Sequence, residues 1–140
     1  AYSLLPHASG WENGTVAEAY ALNDPLILVK SSAALLNQNG TSARADNLRH
    51  EAPPFVCCDS PNIVIETVKR AEDGQGVIVR LYESQRRRGP VTLSSSFPLA
   101  KVYLTNLLEE NQTSLAPRGN QVTLFVRPYE IVTLRLIAAT

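Results

Sequence analysis

Ile63-Val-Ile-Glu-Thr-Val-Lys69, Val77-Ile-Val-Arg-Leu-Tyr-Glu83 and Ile131-Val-Thr-Leu-Arg-Leu-Ile137 interleave apolar, mostly β-branched residues with polar ones. A period of two puts successive side chains on opposite faces of a strand. Glu72-Asp73-Gly74-Gln75-Gly76, between the first two, reads as a hairpin turn. Working outward, the pattern predicts strands over 63–70, 77–84, 90–97, 101–106, 121–127 and 130–137. Within 90–97, Val91, Leu93, Ser95 and Phe97 share one face, against Thr92, Ser94 and Ser96 on the other. Arg127-Pro128 sets a proline at a strand boundary, where its missing N–H is tolerated. Regularly spaced turns between short strands predict an all-β, antiparallel β-sandwich.

Upstream the reading changes. Tyr2 to Pro6 reads as a short strand. Thr15-Val-Ala-Glu18 has the form of a capping box, opening one short helix that Asn23-Asp24-Pro25 ends. Leu26 to Val29 is a brief apolar run with the length of a buried strand. Ser31 to Ala52 is rich in Ser, Ala and Asn and has no period, so this stretch is expected to be a mobile loop. With no apolar face to bury, it has little to offset an ordering cost of roughly 1–2 kcal/mol per residue.

The 140 residues suffice for a single domain, 1–140, with its own core. Thirteen basic residues balance thirteen acidic ones, so the basic excess that phosphate binding needs is missing and no nucleic-acid partner is expected. No apolar run approaches the roughly 18 residues of a membrane span, and no membrane partner is expected. The chain holds no methionine and opens on Ala1-Tyr-Ser-Leu-Leu5, which points to a segment of a longer polypeptide. Its only cysteines are the neighbours Cys57 and Cys58. A vicinal pair cannot staple a fold, so reduced thiols and a cytoplasmic location are expected, although Asn13, Asn39 and Asn111 each begin an Asn-x-Thr triplet.

Residues suited to chemistry are few. A zinc site needs three or four converging ligands, and His7, His50 and the vicinal cysteines do not supply a closing set. Ser94-Ser95-Ser96 falls in a strand pattern. Glu109-Glu110, after Leu107-Leu108, reads as a solvated turn at a strand exit. Glu66 and Glu83 sit within strands, where pairing with Lys69 or Arg80 accounts for them. Arg86-Arg87-Arg88 reads as a solvated hairpin tip. No catalytic or metal-binding residue is therefore assigned. Tyr2, Leu4, His7 and Trp11 are the candidates for contact with another domain or with a sugar, Trp11 being the sole tryptophan.

Ser3-Leu-Leu-Pro-His7-Ala-Ser-Gly-Trp11 and Val16-Ala-Glu-Ala-Tyr20-Ala-Leu-Asn-Asp-Pro-Leu26 together resemble the C-terminal region of family 38 glycoside hydrolases, the α-mannosidases, in their cytosolic and bacterial branch. The resemblance resumes in Val68 to Asp73, Val77 to Glu83, Thr105-Asn-Leu-Leu-Glu109 and Val122 to Leu136, and leaves out Ser31 to Ala52. It implies a retaining exo-α-mannosidase whose zinc ion and aspartate nucleophile lie in an N-terminal catalytic domain of the same chain. This segment would be that enzyme's non-catalytic C-terminal β domain, without a cofactor of its own. It would meet mannose-containing glycans only through the full-length enzyme. An autonomous carbohydrate-binding module is the alternative, but such modules use rows of exposed aromatics and this chain is 6% aromatic.

Overall fold

The computed structural model describes residues 2–8, 10–12, 14–24, 27 and 53–139. It divides the chain into two compact units, Ala1–Ala52 and Pro53–Thr140. The expected loop 31–52 lies outside the described residues, as does the run Leu26 to Val29 apart from Ile27.

In the first unit, α1 spans Thr15–Asn23 and none of its residues is fully buried. Its start differs from the capping box expected. Gly14 is the N-cap, at φ +92°, and Thr15 is already helical, so no side chain caps the helix. Left-handed backbone is open to glycine at little cost, which lets Gly14 take the position. The Glu18 N–H donates to the Gly14 carbonyl at 2.9 Å. At the other end Asn23 Nδ2 donates to the Ala19 carbonyl. Residues 2–6, expected as a strand, are irregular instead. Among the described residues no backbone ladder forms with them, and without a partner an apolar run does not become a strand.

The second unit is an all-β sandwich. Its strands are β1 (Val56–Cys58), β2 (Ile63–Arg70), β3 (Val77–Glu83), β4 (Gly89–Ser95), β5 (Leu99–Thr105), β6 (Asn111–Leu115), β7 (Gln121–Val126) and β8 (Ile131–Ala138). They form a five-stranded sheet in the order β2-β3-β8-β5-β6 and a three-stranded sheet in the order β1-β4-β7. Every pairing is antiparallel. The core lies between the sheets. Val79, Leu81, Val102, Val132, Leu134 and Leu136 come from the larger sheet, and Val91, Leu93, Val122, Leu124 and Val126 from the smaller.

Two strands escape the periodic reading. β6 is polar and exposed along most of its length, an edge strand held by its ladder to β5. β1 is three residues long and adds to β4. The arginine run 86–88 is also not a hairpin tip, because β3 and β4 belong to different sheets and the segment between them crosses the sandwich. Its side chains are exposed.

The hairpin 71–76 forms as expected, with Gly74 and Gly76 at φ +76° and +88°. Ala71 N–H donates to the Gly76 carbonyl at 3.0 Å. A Cβ on Gly76 would fall on the Leu136 carbonyl oxygen of β8. Gly76→Ala is therefore expected to destabilise the sandwich by about 3 kcal/mol, through backbone strain and the clash together. Urea denaturation checks this; a loss below about 0.5 kcal/mol, the ordinary surface level, would contradict it.

Candidate functional site

The outer face of the five-stranded sheet carries the most developed polar cluster. Strand register sets Lys69, Ile78, Arg135, Tyr103 and Ser114 in one row across β2, β3, β8, β5 and β6. Arg135 and Ile78 in this row are buried although they point away from the core. Two turns meet the Arg135 side chain. From the 71–76 hairpin, Asp73 accepts Arg135 Nη1 at 2.7 and 2.6 Å, and the Gln75 carbonyl accepts it at 3.0 Å. From the turn 106–110, the Glu109 carbonyl accepts Arg135 Nη2 at 2.8 Å.

Glu109 is not the solvated residue expected from its place at a strand exit. It is 7% exposed, and its carboxylate meets Lys69 Nζ at 2.7 Å and the Glu72 N–H at 2.9 Å. Lys69 also pairs with Glu72. The Lys69 ammonium, then the Glu72 N–H, hold the Glu109 carboxyl below its usual range. The Gln75 N–H, then Arg135, do the same for Asp73. A cleft of about 300 Å³ lies here, lined by residues including Asp73, Leu108, Glu109 and Arg135.

Glu83 ends the inward-facing row of β3 and is 1% exposed. The expected cross-strand partner, Lys69 or Arg80, is not what meets it. Lys69 serves Glu109 and Glu72, and Arg80 reaches Thr133 Oγ1 at 3.4 Å. Glu83 instead accepts Asn62 Nδ2 at 3.0 Å, Gln85 N–H at 2.8 Å and Tyr129 N–H at 3.0 Å. Burial works against its charge, but these donors, with the Arg87 N–H, outweigh that and hold the carboxyl down at about 2. Such a group pins three loops; it has no proton to give near neutrality. Glu66, the other strand glutamate, accepts the neighbouring Thr67 hydroxyl at 2.5 Å on an exposed face.

The remaining groups read structurally. Ser95 Oγ lies within hydrogen-bond reach of the Phe97 and Asn120 carbonyls, at 2.6 and 3.1 Å. Cys57 and Cys58 leave opposite faces of β1; Cys57 is exposed, and burial first, then the Asp59 charge, pushes the Cys58 thiol up to about 12. Among the described residues no three His, Cys, Asp or Glu side chains come together to hold a metal ion, so these residues do not fit a zinc site. His50 lies outside the described residues. Tyr2, Leu4 and His7 stand exposed in the irregular segment before α1, and Trp11, 42% exposed, in the turn that follows. Among the described residues, no hydrogen bond or ring contact joins these four.

Glu83 generates a pH prediction. Its folded pKa lies below the ordinary 4.5, so its contribution is fully present above that value and is lost as pH falls towards about 2. The shift corresponds to about 3 kcal/mol. Glu83→Gln is expected to remove this part of the acid-induced loss of stability and to destabilise the fold by about 2 kcal/mol at pH 7. Urea unfolding between pH 2 and 7 checks both; an unchanged pH profile would contradict the assignment.

Comparison with known proteins places this geometry. The family model for "Glycosyl hydrolases family 38 C-terminal beta sandwich domain" matches residues 62–134, from just before β2 into β8. Alpha-mannosidase G of Dictyostelium discoideum is 30% identical over 142 residues, covering 98% of this chain and 12% of that protein. Alpha-mannosidase 2C1 of Homo sapiens is 29% identical and that of Mus musculus 26%, each over 97% of this chain and 12% of the relative. The chain thus spans about an eighth of the length of the curated relatives it matches. The family match covers more than half of the chain and takes in β2 to β7 with the first half of β8, and the chain belongs to the family of glycosyl hydrolase family 38 C-terminal β-sandwich domains.

Proposed function

We propose that this chain is a non-catalytic domain of an α-mannosidase, a retaining exo-glycosidase that removes terminal α-linked mannose. Its work is to pack against the catalytic domain N-terminal to it, to stabilise that domain and to shape the rim of the substrate cleft. One observation carries the reading: the sandwich matches the family's C-terminal domain, while the α-mannosidases it resembles are about eight times longer. The carboxylates support it. A glycosidase acid needs a raised pKa, and Glu83, Asp73 and Glu109 are all held down. Zinc, implied for the parent enzyme, would be held by residues outside this chain. Thiols that leave opposite faces of β1 suit a reducing compartment, and a cytoplasmic location is part of the proposal.

The full-length protein is expected to hydrolyse an aryl α-mannoside, and the 140-residue chain alone to be inactive with or without added zinc. Turnover by the rigorously purified chain, abolished by a chelator, would contradict this.

Tyr2, Leu4, His7 and Trp11 are proposed to face the rest of the enzyme. Trp11→Ala in the full-length protein is expected to lower thermal stability and leave mannose affinity little changed. Unchanged stability with about tenfold weaker substrate binding, a shift of about 1.4 kcal/mol, would favour the sugar-contact reading instead.

A further inference from the structure

The turn 106–110 inverts the usual disposition of side chains. Leu107 and Leu108 are 68% and 80% exposed, while the neighbouring Glu109 is 7% exposed. Single exposed apolar residues are ordinary on a protein surface; two adjacent leucines on a turn that buries its own carboxylate are not.

The turn is also fixed. Asn106 Oδ1 accepts the N–H groups of Leu108 at 3.0 Å and Glu110 at 2.9 Å. Asn106 Nδ2 donates to Glu110 Oε2 at 2.6 Å, and the Asn106 and Glu110 backbones bond at 3.2 Å. Glu109 takes φ +65°, a left-handed conformation costly for a residue with a side chain. Its bonds to Lys69, to the Glu72 N–H and to Arg135 hold it there. The two leucines are therefore carried on backbone that is already ordered. Association through them does not have to order the turn, which is what preorganised anchors contribute to an interface.

We propose that Leu107 and Leu108 form a knob that seats this domain on the remainder of an α-mannosidase chain, in an apolar pocket with a basic rim. The inference rests on the function proposed above and names a different surface from the N-terminal segment. The length of the relatives favours this occupant, since they extend far beyond the 12% that this chain matches. The rim follows from charge. Around this turn the carboxylates of Glu72, Asp73, Glu109 and Glu110 outnumber the cations Lys69 and Arg135; Glu110 is exposed, and Glu72, although paired with Lys69, keeps its side chain 80% exposed in the cleft that Leu108 also lines.

The test uses the full-length protein, with a benzophenone-bearing photo-crosslinking residue in place of Leu108 and, as control, in place of exposed Thr123 on β7. Irradiation is expected to give intrachain crosslinks from position 108 to residues outside this segment, several-fold above those from position 123. Leu107→Ser with Leu108→Ser should lower the melting temperature of the same protein by several degrees. Equal yields from the two positions, crosslinks confined to this segment, or crosslinks to a second copy would each overturn the proposal. α-Mannosidase activity of the unsubstituted protein is measured alongside. Activity without the crosslinks overturns the docking surface alone, and crosslinks without activity overturn the enzymatic reading alone.

Discussion

Arg135 puts a guanidinium on the outer face of the larger sheet, at its central strand, and much of that face is arranged around it. A charge removed from water is tolerated only when paired and hydrogen-bonded. Asp73, the Gln75 carbonyl and the Glu109 carbonyl meet that demand. All three sit in turns rather than strands, so two turns are drawn over the sheet. The compensation is incomplete, for Arg135 Nε is buried and, among the described residues, without a hydrogen-bond partner. The 106–110 turn that covers Arg135 also turns Glu109 inward and leaves two leucines outward. In this way the electrostatics of one buried side chain reach a surface suited to a partner.

Glu83 solves the converse problem on the inward side. Its strand position places a carboxylate at the end of an apolar row, and backbone donors from the 85–87 crossing and the 127–130 turn, with Asn62, stabilise the charge. Neither cluster resembles a glycosidase site, in which one carboxyl must stay protonated near neutrality. Every carboxylate with a shifted pKa among the described residues, Asp59 included, is shifted towards the charged form. Charge in this domain holds turns, which accords with membership of a family of C-terminal β-sandwich domains.

What the sequence reveals depends on whether a residue's partners are near or far along the chain. β2, β3 and β8 are legible because burial writes a period into the residues themselves. β6 is not, since Asn111-Gln-Thr-Ser-Leu115 is held by backbone bonds to β5 and carries almost no apolar signal. Glu109 looks like a solvated residue because Lys69, Glu72 and Arg135, which bury it, stand 26 to 40 positions away. Glu83 looks like half of an ion pair because nothing local announces that Asn62 and Tyr129 will converge on it. The arginines 86–88 look like a hairpin tip because strand order cannot be read from spacing. The contact role proposed for Tyr2, Leu4, His7 and Trp11 has their exposure as its structural support.

The dependence of the outer face on Arg135 is tested most directly by residue-resolved amide hydrogen exchange on the Arg135→Met variant. Methionine keeps much of the apolar stem and removes the charge. The account predicts that protection falls sharply at the Glu72 and Glu109 N–H groups, as the two turns lose their anchor, while Val79 and Leu134 in the β3–β8 ladder stay protected. Unchanged protection at Glu72 and Glu109 would contradict it, because the turns would then be holding themselves.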